Sequence, residues 1–166
     1  MALVLMATTL RKARAFRSQG SEGRRAILEV ALVSTLVSAG FRLLGVARTQ
    51  SLLRRWATAT SVQRRQRLPE VHILSVRRAQ GIVWRNLGTK GTCLTRSLTL
   101  WALLLRRGVE TNLRVGFRKS EGKLEGHAWV EHHGIALNEA PDVSRKYTAF
   151  TNPAAFDARY KPEYWR

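Results

Sequence analysis

The chain has 166 residues, of which 45% are hydrophobic and five are tryptophan, so it is long and apolar enough for one globular domain of ordinary size rather than a disordered protein. Its single cysteine excludes an internal disulfide and is typical of a reducing cytoplasm, and one Cys with four His lacks the paired ligands of a zinc site. The net charge of +18 is concentrated in residues 1–90, where 17 Lys or Arg stand against three Glu, which predicts an anionic partner for the front half.

The start of the chain does not resemble a secretion signal. The apolar stretch Met1–Met6 precedes the basic residues Arg11 and Lys12, and no small-residue cleavage site follows it. Residues 26–47 are apolar over about the length of a membrane span, but Glu29 and Arg42 interrupt them, which favours a helix buried in protein or lying on a surface. We expect a cytoplasmic protein whose basic front half docks a partner protein, with a peripheral membrane contact as the lesser alternative.

The front half is expected to be helical and Arg-rich, and to pack on the rest of the chain. We divide the chain into a basic helical segment, residues 1–69, and a core domain, residues 70–166. The spacing of apolar residues and the positions of Gly and Pro predict four helices, at residues 1–19, at about Glu22 to Arg48, at residues 49–66, and at Glu70 to Leu87 after Pro69. In the second helix, Ser21 is the expected cap, and Gly40 and Gly45 are weak points.

A buried central helix is predicted from Leu94 to Arg107, because apolar residues surround it and Gly108 stands at its end. Cys93 opens this helix directly after Gly91-Thr92. A helix N-terminus stabilises negative charge, so we expect the Cys93 thiolate to form more readily than that of a free cysteine.

Three strands of an antiparallel sheet are predicted after the helix. Residues 113–118 alternate between apolar and basic side chains, residues 124–131 follow a turn around Gly122, and residues 135–140 follow the sequence His132-His133-Gly134. One helix packed on an antiparallel sheet gives an α+β core.

His127 lies on the middle strand, and the length of the next turn decides which residue faces it. A two-residue turn at His133-Gly134 would place Asn138 opposite Trp129 and leave Ala140 opposite His127. A three-residue loop with Gly134 in a left-handed bulge places Glu139 directly opposite His127. We favour the second register.

A cysteine at a helix start and a histidine on a sheet are the arrangement that a cysteine hydrolase needs. In this interpretation Cys93 is the nucleophile, His127 is the general base and acid, and Glu139 orients the imidazole, with Asn138 as the fallback.

The backbone N–H of Cys93 can donate to the oxyanion. A second donor is expected from upstream, and the sequence does not choose among Gln80, Trp84 and Asn86. Arg96 and Trp129 are further candidates for substrate binding. A structural salt bridge for Arg96 and a core position for Trp129 are the alternatives.

These residues also carry a family resemblance that covers roughly residues 70–150. The chain resembles the transglutaminase-like cysteine protease of lasso peptide biosynthesis, which also has Arg-rich apolar N-terminal helices. The matching motifs are Cys93-Leu94-x-Arg96-Ser97-Leu98, the helix end at Gly108, Leu113-Arg114-Val115-Gly116-Phe117, His127-Ala128-Trp129-Val130-Glu131 and Asn138-Glu139-x-x-Asp142-Val143.

The resemblance implies a transglutaminase-like, papain-like core and a leader peptidase that cleaves a ribosomally made precursor peptide. The freed N-terminus of the core peptide would be joined to an acidic side chain by an asparagine-synthetase-like cyclase, which uses ATP, whereas the protease itself needs no cofactor and no metal. Residues 1–69 do not resemble the winged-helix leader-recognition domain of fused members, so a stand-alone protease with a separate small leader-binding protein is implied. The family commonly has Asp where this chain has Glu139.

Two other functions remain open at the level of the sequence. The same fold would also suit a non-proteolytic acyltransferase or an inactive peptide-binding module. A nucleic-acid-binding protein would use the net charge of +18, but no helix-turn-helix spacing and no aromatic–basic stacking pattern supports it. We therefore expect no nucleic-acid partner.

Overall fold

The computed structural model describes residues 19–59, 68–87, 92–120 and 123–150. The predicted helix over residues 1–19 lies outside these ranges except for Gln19, and the centre of the predicted turn at Gly122 also lies outside them. The later part of the predicted helix over residues 49–66 is likewise not described beyond Ala59.

Two helices form an antiparallel hairpin at the start of the described chain, α1 (Ser21–Leu43) and α2 (Val46–Ala59). The prediction of one helix from Glu22 to Arg48 is therefore wrong, because the chain turns at Gly45, whose φ of 79° is left-handed. The prediction that Ser21 caps the helix is also wrong. Gly20 is the N-cap residue and no side chain caps it, since Ser21 is already helical.

The next two helices match their predictions closely. Helix α3 (Pro69–Leu87) begins at its proline, which lacks the N–H that the first turn leaves unpaired. Helix α4 (Cys93–Arg106) is capped by Thr92, whose hydroxyl accepts a hydrogen bond from the Thr95 N–H at 3.3 Å. The helix ends at Arg106, Arg107 is its C-cap residue, and the predicted glycine, Gly108, follows with a left-handed φ of 75°.

Within the described ranges, the sheet has four strands in the order β3-β2-β1-β4. The predicted strands become β1 (Asn112–Ser120) and β2 (Lys123–His132), which pair from Asn112–Glu131 to Ser120–Lys123. The third predicted strand is much shorter than expected, since β3 contains only Ile135–Ala136. After the short helix α5 (Val143–Lys146), strand β4 (Thr148–Ala149) joins the other edge at β1 and was not predicted.

The favoured register of the β2–β3 hairpin is wrong. His132 pairs with Ile135, and His133 and Gly134 form a two-residue turn in which both have positive φ, 49° and 78°. Both central residues of a type I′ turn have positive φ, a position that His tolerates less readily than Asn or Gly. The ladder register therefore does not place Glu139 opposite His127.

One hydrophobic core joins the helices to one face of the sheet, with α4 at its centre. Residues on both sides of position 70 share this core, because Val30 of α1 and Val76 of α3 pack in the same cluster as Leu98. An ion pair between Glu29 and Arg107 connects α1 to the end of α4. The architecture is α+β, as predicted, with helices packed on an antiparallel sheet.

Candidate active site

Cys93 is the first residue of α4, and its sulfur lies near the backbone of strand β2 at Ala128. Cys93 is 7% exposed, and the backbone N–H of Ala128 lies close enough to the sulfur to lower the pKa of the thiol. The backbone N–H groups of Leu94 and of Cys93 itself act on the pKa in the same direction. Ala128 directly follows His127 in the chain, so the thiol lies against the same stretch of β2 that carries the histidine.

The expected lowering of the Cys93 pKa does not occur in this structure. Burial raises the pKa of the thiol above its ordinary value, and the negative charge of Glu139 raises it further. The three backbone N–H groups lower it, but burial has the largest effect. The sulfur is therefore a neutral thiol at neutral pH, and a base must remove its proton during attack.

The raised pKa predicts a slow alkylation of Cys93 at neutral pH. Iodoacetamide reacts with the thiolate, so the rate should rise with pH and reach half of its maximum above the pKa of a free cysteine, about 8.5. The alkylation rate is measured over the range from about pH 6 to pH 10, and N-acetylcysteine is the reference thiol. A rate that is already maximal at pH 7 would contradict the raised pKa.

His127 lies on β2 opposite Gly116 of β1, and one of its ring nitrogens is paired with an acid. Its Nε2 atom lies 3.2 Å from Glu139 Oε1. A carboxylate at this distance favours a proton on Nε2, which leaves Nδ1 as the nitrogen that can accept a proton from a nucleophile. Cys93, His127 and Glu139 are the residue types that acyl transfer by a cysteine requires, and the histidine and the acid are already paired.

Glu139 reaches His127 by a bend and not by strand pairing. The ladder of β3 ends at Ala136, and the last backbone bond from this segment runs from Leu137 N to Val130 O at 2.8 Å. The residues that follow bend away from the strand direction, which carries the Glu139 side chain to the imidazole. His127 and Glu139 are therefore in contact, as predicted, but the strand register from which the contact was predicted is wrong.

Asn138 is used differently from its predicted fallback role. Its Oδ1 accepts the Val130 N–H at 2.8 Å, and its Nδ2 donates to Ser97 Oγ at 3.0 Å. Ser97 Oγ in turn donates to the Ala128 carbonyl at 2.8 Å. Ser97 is one helical turn after Cys93, so this chain of hydrogen bonds fixes the start of α4 against the strand that carries His127.

Removing the Asn138 amide should destabilise the protein. In Asn138→Ala the N–H of Val130 loses its partner, and we expect a loss of about 2–3 kcal/mol of unfolding free energy, because unpaired buried polar groups are costly. Urea denaturation measures this change. Thr99→Ala is the matched control on the same helix, since the Thr99 hydroxyl donates only to the Thr95 carbonyl of its own helix. An equal or larger loss in the control would contradict the role of Asn138.

Two of the three candidates for the second oxyanion donor are engaged elsewhere. Gln80 donates from Nε2 to the Arg96 carbonyl at 2.7 Å, and Asn86 donates to the Ile82 carbonyl of its own helix at 2.8 Å. The indole Nε1 of Trp84 is buried and has no hydrogen-bond partner within the described part of the chain. Trp84 is therefore the candidate that retains a free donor.

The two candidates for substrate binding differ in accessibility. Arg96 is exposed and makes no ion pair among the described residues; its guanidinium lies over the Trp84 ring, 5.8 Å from the centroid. Trp129 is fully buried, and its Nε1 donates to Glu131 Oε1 at 2.8 Å. Trp129 therefore packs the outer face of the sheet and is not a substrate platform in this structure.

Tyr147 is a neighbour of the site that the sequence did not reveal. Its ring stacks on the His127 imidazole with centroids 4.9 Å apart, and the Arg118 guanidinium lies 5.0 Å from the same ring. Tyr147 directly precedes β4, whose pairing with β1 brings the ring to His127. A two-residue strand has no periodic pattern, so no signal in the sequence pointed to it.

Gly116 allows β4 to approach this closely. A Cβ atom at position 116 would lie 2.7 Å from the Thr148 carbonyl oxygen. We expect Gly116→Ala to displace β4 and to cost about 1–3 kcal/mol of unfolding free energy, as overpacking does. The thermal unfolding midpoint measures this loss. Gly23→Ala on α1, where a Cβ would be 3.3 Å from the nearest atom, is the control, and an equal effect there would refute the close approach.

A comparison with protein-family models gives one match, described as the Transglutaminase-like superfamily, over residues 31–152. The chain therefore belongs to the transglutaminase-like superfamily, which includes cysteine peptidases and transglutaminases. The match begins within α1 and contains Cys93, His127 and Glu139. No curated protein and no solved structure matches the chain.

Proposed function

We propose that this member of the transglutaminase-like superfamily is a cysteine peptidase that removes the leader from a lasso precursor peptide. One observation carries the proposal. His127 is paired with Glu139 at 3.2 Å, and both Glu139 and the backbone of Ala128, the residue after His127, are close enough to Cys93 to act on its thiol. The motifs around these residues resemble the lasso leader peptidases, which gives the substrate class.

In the first half of the proposed reaction, His127 accepts the proton of the Cys93 thiol as the sulfur attacks the carbonyl carbon at the end of the leader. The S–C bond forms, the C–N bond breaks, and His127 returns the proton to the leaving amine. That amine is the new N-terminus of the core peptide. Glu139 stabilises the imidazolium that exists between the two proton transfers.

In the second half, a water molecule attacks the leader thioester while His127 removes its proton. The C–S bond breaks, the leader leaves as a carboxylate, and the thiol is restored. The backbone N–H of Cys93 is one donor to the oxyanion in both halves, and Trp84 Nε1 is the proposed second donor. These steps need no metal and no cofactor.

The proposed partners follow from the same resemblance. The protease would act in the cytoplasm on a precursor presented by a separate small leader-binding protein. An asparagine-synthetase-like cyclase would then use ATP to close the core peptide. Exposed Arg96, one turn from Cys93, is a proposed contact for an acidic group of the substrate.

The test is incubation of the protein with a lasso precursor peptide and a small leader-binding protein in water labelled with heavy oxygen. Hydrolysis predicts a leader fragment with one heavy oxygen in its terminal carboxylate, detected by mass spectrometry. The blank is the same protein alkylated at Cys93, its only cysteine. Intact precursor in both samples would refute the proposed function.

The second candidate function is acyl transfer, since the superfamily also includes transglutaminases. The same thioester would then be attacked by an amine instead of water. Adding a small primary amine to the cleavage reaction separates the two, because acyl transfer gives an amide and no heavy oxygen. A product that is mainly amide would replace peptidase with transferase in the proposal.

A further inference from the structure

Helix α1 exposes a row of large aliphatic side chains where a surface helix normally has polar ones. We call Leu28, Leu32, Leu36 and Leu43 the leucine ridge; their side chains are 60, 62, 56 and 81% exposed. Their spacing of four and seven residues places them on one face of the helix. On α2, Leu52 and Trp56 extend the apolar surface, and a groove of about 240 Å³ between the two helices continues it.

The opposite face of α1 is fixed in the protein core. Ala26, Val30 and Val37 are at most 3% exposed and pack with α3 and α4. By length and hydropathy alone, α1 could cross a membrane. Only 33% of its most apolar window is buried in the protein, so most of this window faces outward. Because the core face cannot leave the protein without unfolding it, any membrane contact of α1 must be parallel to the membrane surface.

The charges around the leucine ridge are positive. Arg25 and Arg42 are exposed at its two ends, and Arg48, Arg54 and Arg55 are exposed on α2. Residues 19–59 contain only two acids, Glu22 and Glu29, and Glu29 is paired with Arg107. The surface therefore combines an apolar strip with arginines and is complementary to a surface that is apolar beneath an anionic layer.

We propose that the leucine ridge docks α1 and α2 on an anionic lipid surface. The leucines enter the boundary between headgroups and acyl chains, Trp56 lies at headgroup level, and the arginines bind lipid phosphates. A protein partner fits less well. Protein interfaces depend on aromatic anchors and directional polar groups, whereas the ridge is aliphatic. Contact with lipid acyl chains needs no specific pairing of side chains, so an aliphatic ridge is sufficient for it.

The experiment is sedimentation of the full chain with phosphatidylcholine vesicles, with and without phosphatidylglycerol. We expect binding to the anionic vesicles that weakens as salt is added, and weaker binding to the neutral vesicles. The double variant Leu32→Glu/Leu36→Glu should bind the anionic vesicles about tenfold or more weakly, because each glutamate removes apolar contact and adds a repelled charge.

The matched control is Leu124→Glu/Ile135→Glu, which changes two aliphatic residues of similar exposure, 59 and 65%, on strands β2 and β3 of the sheet. It adds the same net charge as the ridge variant but leaves the ridge intact, so it should bind vesicles within about twofold of the wild type. Leu28→Ser/Leu43→Ser tests the ridge without new charges if the glutamate variant fails to fold.

Three results would overturn the proposal. Wild-type protein that stays in solution with anionic vesicles at low salt is the first, and equal losses in the ridge and control variants are the second. The third is a ridge variant that binds vesicles normally but no longer cleaves precursor with the leader-binding protein, which would assign the surface to a protein. In the absence of vesicles and partners, the ridge variant should keep its unfolding midpoint.

Discussion

Replacing Cys93 with alanine is expected to abolish leader cleavage, with kcat lowered by at least about 10³-fold. The variant removes the only sulfur that can form the thioester, and the chain has no other cysteine to substitute for it. Mass spectrometry of the precursor after a timed incubation measures the effect.

The same variant should remain folded, which separates loss of chemistry from loss of structure. Alanine fits the space of the thiol, and the backbone contacts of α4 to β2 through Ser97 and Asn138 do not involve the sulfur. The unfolding midpoint should therefore change little. Cys93→Ser is the closer mimic of the thiol and should also be inactive, because a neutral hydroxyl is a much weaker nucleophile. A variant without sulfur that keeps a tenth of the wild-type rate or more would exclude Cys93 as the nucleophile.

Helix α4 shows what the sequence can predict. Both of its ends were predicted to within one residue from its apolar residues, the Gly91-Thr92 break and Gly108. This works because capping and glycine preferences act locally in the chain. Strands β1 and β2 were likewise visible in their alternation of apolar and polar residues. The α+β core with Cys93 on the helix and His127 on the sheet follows from these elements.

The parts that were missed depend on contacts distant in sequence. The turn at His133-Gly134 places a histidine in a left-handed conformation, which a histidine adopts too rarely for the turn to be predicted from the residue type. The Cys93 pKa depends on how many atoms surround the sulfur, which a helix-start argument does not count. Ser97 did carry a signal, because a serine four residues after Cys93 in an apolar helix has to find a buried partner.

Replacing His127 with alanine should lower kcat for cleavage by about 10³-fold, since general base and acid catalysis contributes about 10²–10⁴-fold. The effect should be large because the buried thiol has a raised pKa and depends on a base at neutral pH. Raising the pH should therefore recover part of the activity of His127→Ala as thiolate forms directly. Initial rates of leader release, measured over the range from about pH 6 to pH 10, report both effects.

His132→Ala is the control, because the His132 ring contacts His133 and the Glu110 carbonyl and is remote from Cys93 in the hairpin. It should cleave at close to the wild-type rate. Glu139→Gln keeps the shape of the acid but removes the charge at 3.2 Å from Nε2, so a loss of about 10–10²-fold is expected, smaller than that of His127→Ala. Equal losses in His127→Ala and His132→Ala would mean that the His127 imidazole does not move the proton. A full rate in Glu139→Gln would assign the orientation of His127 to its stacking on Tyr147 instead.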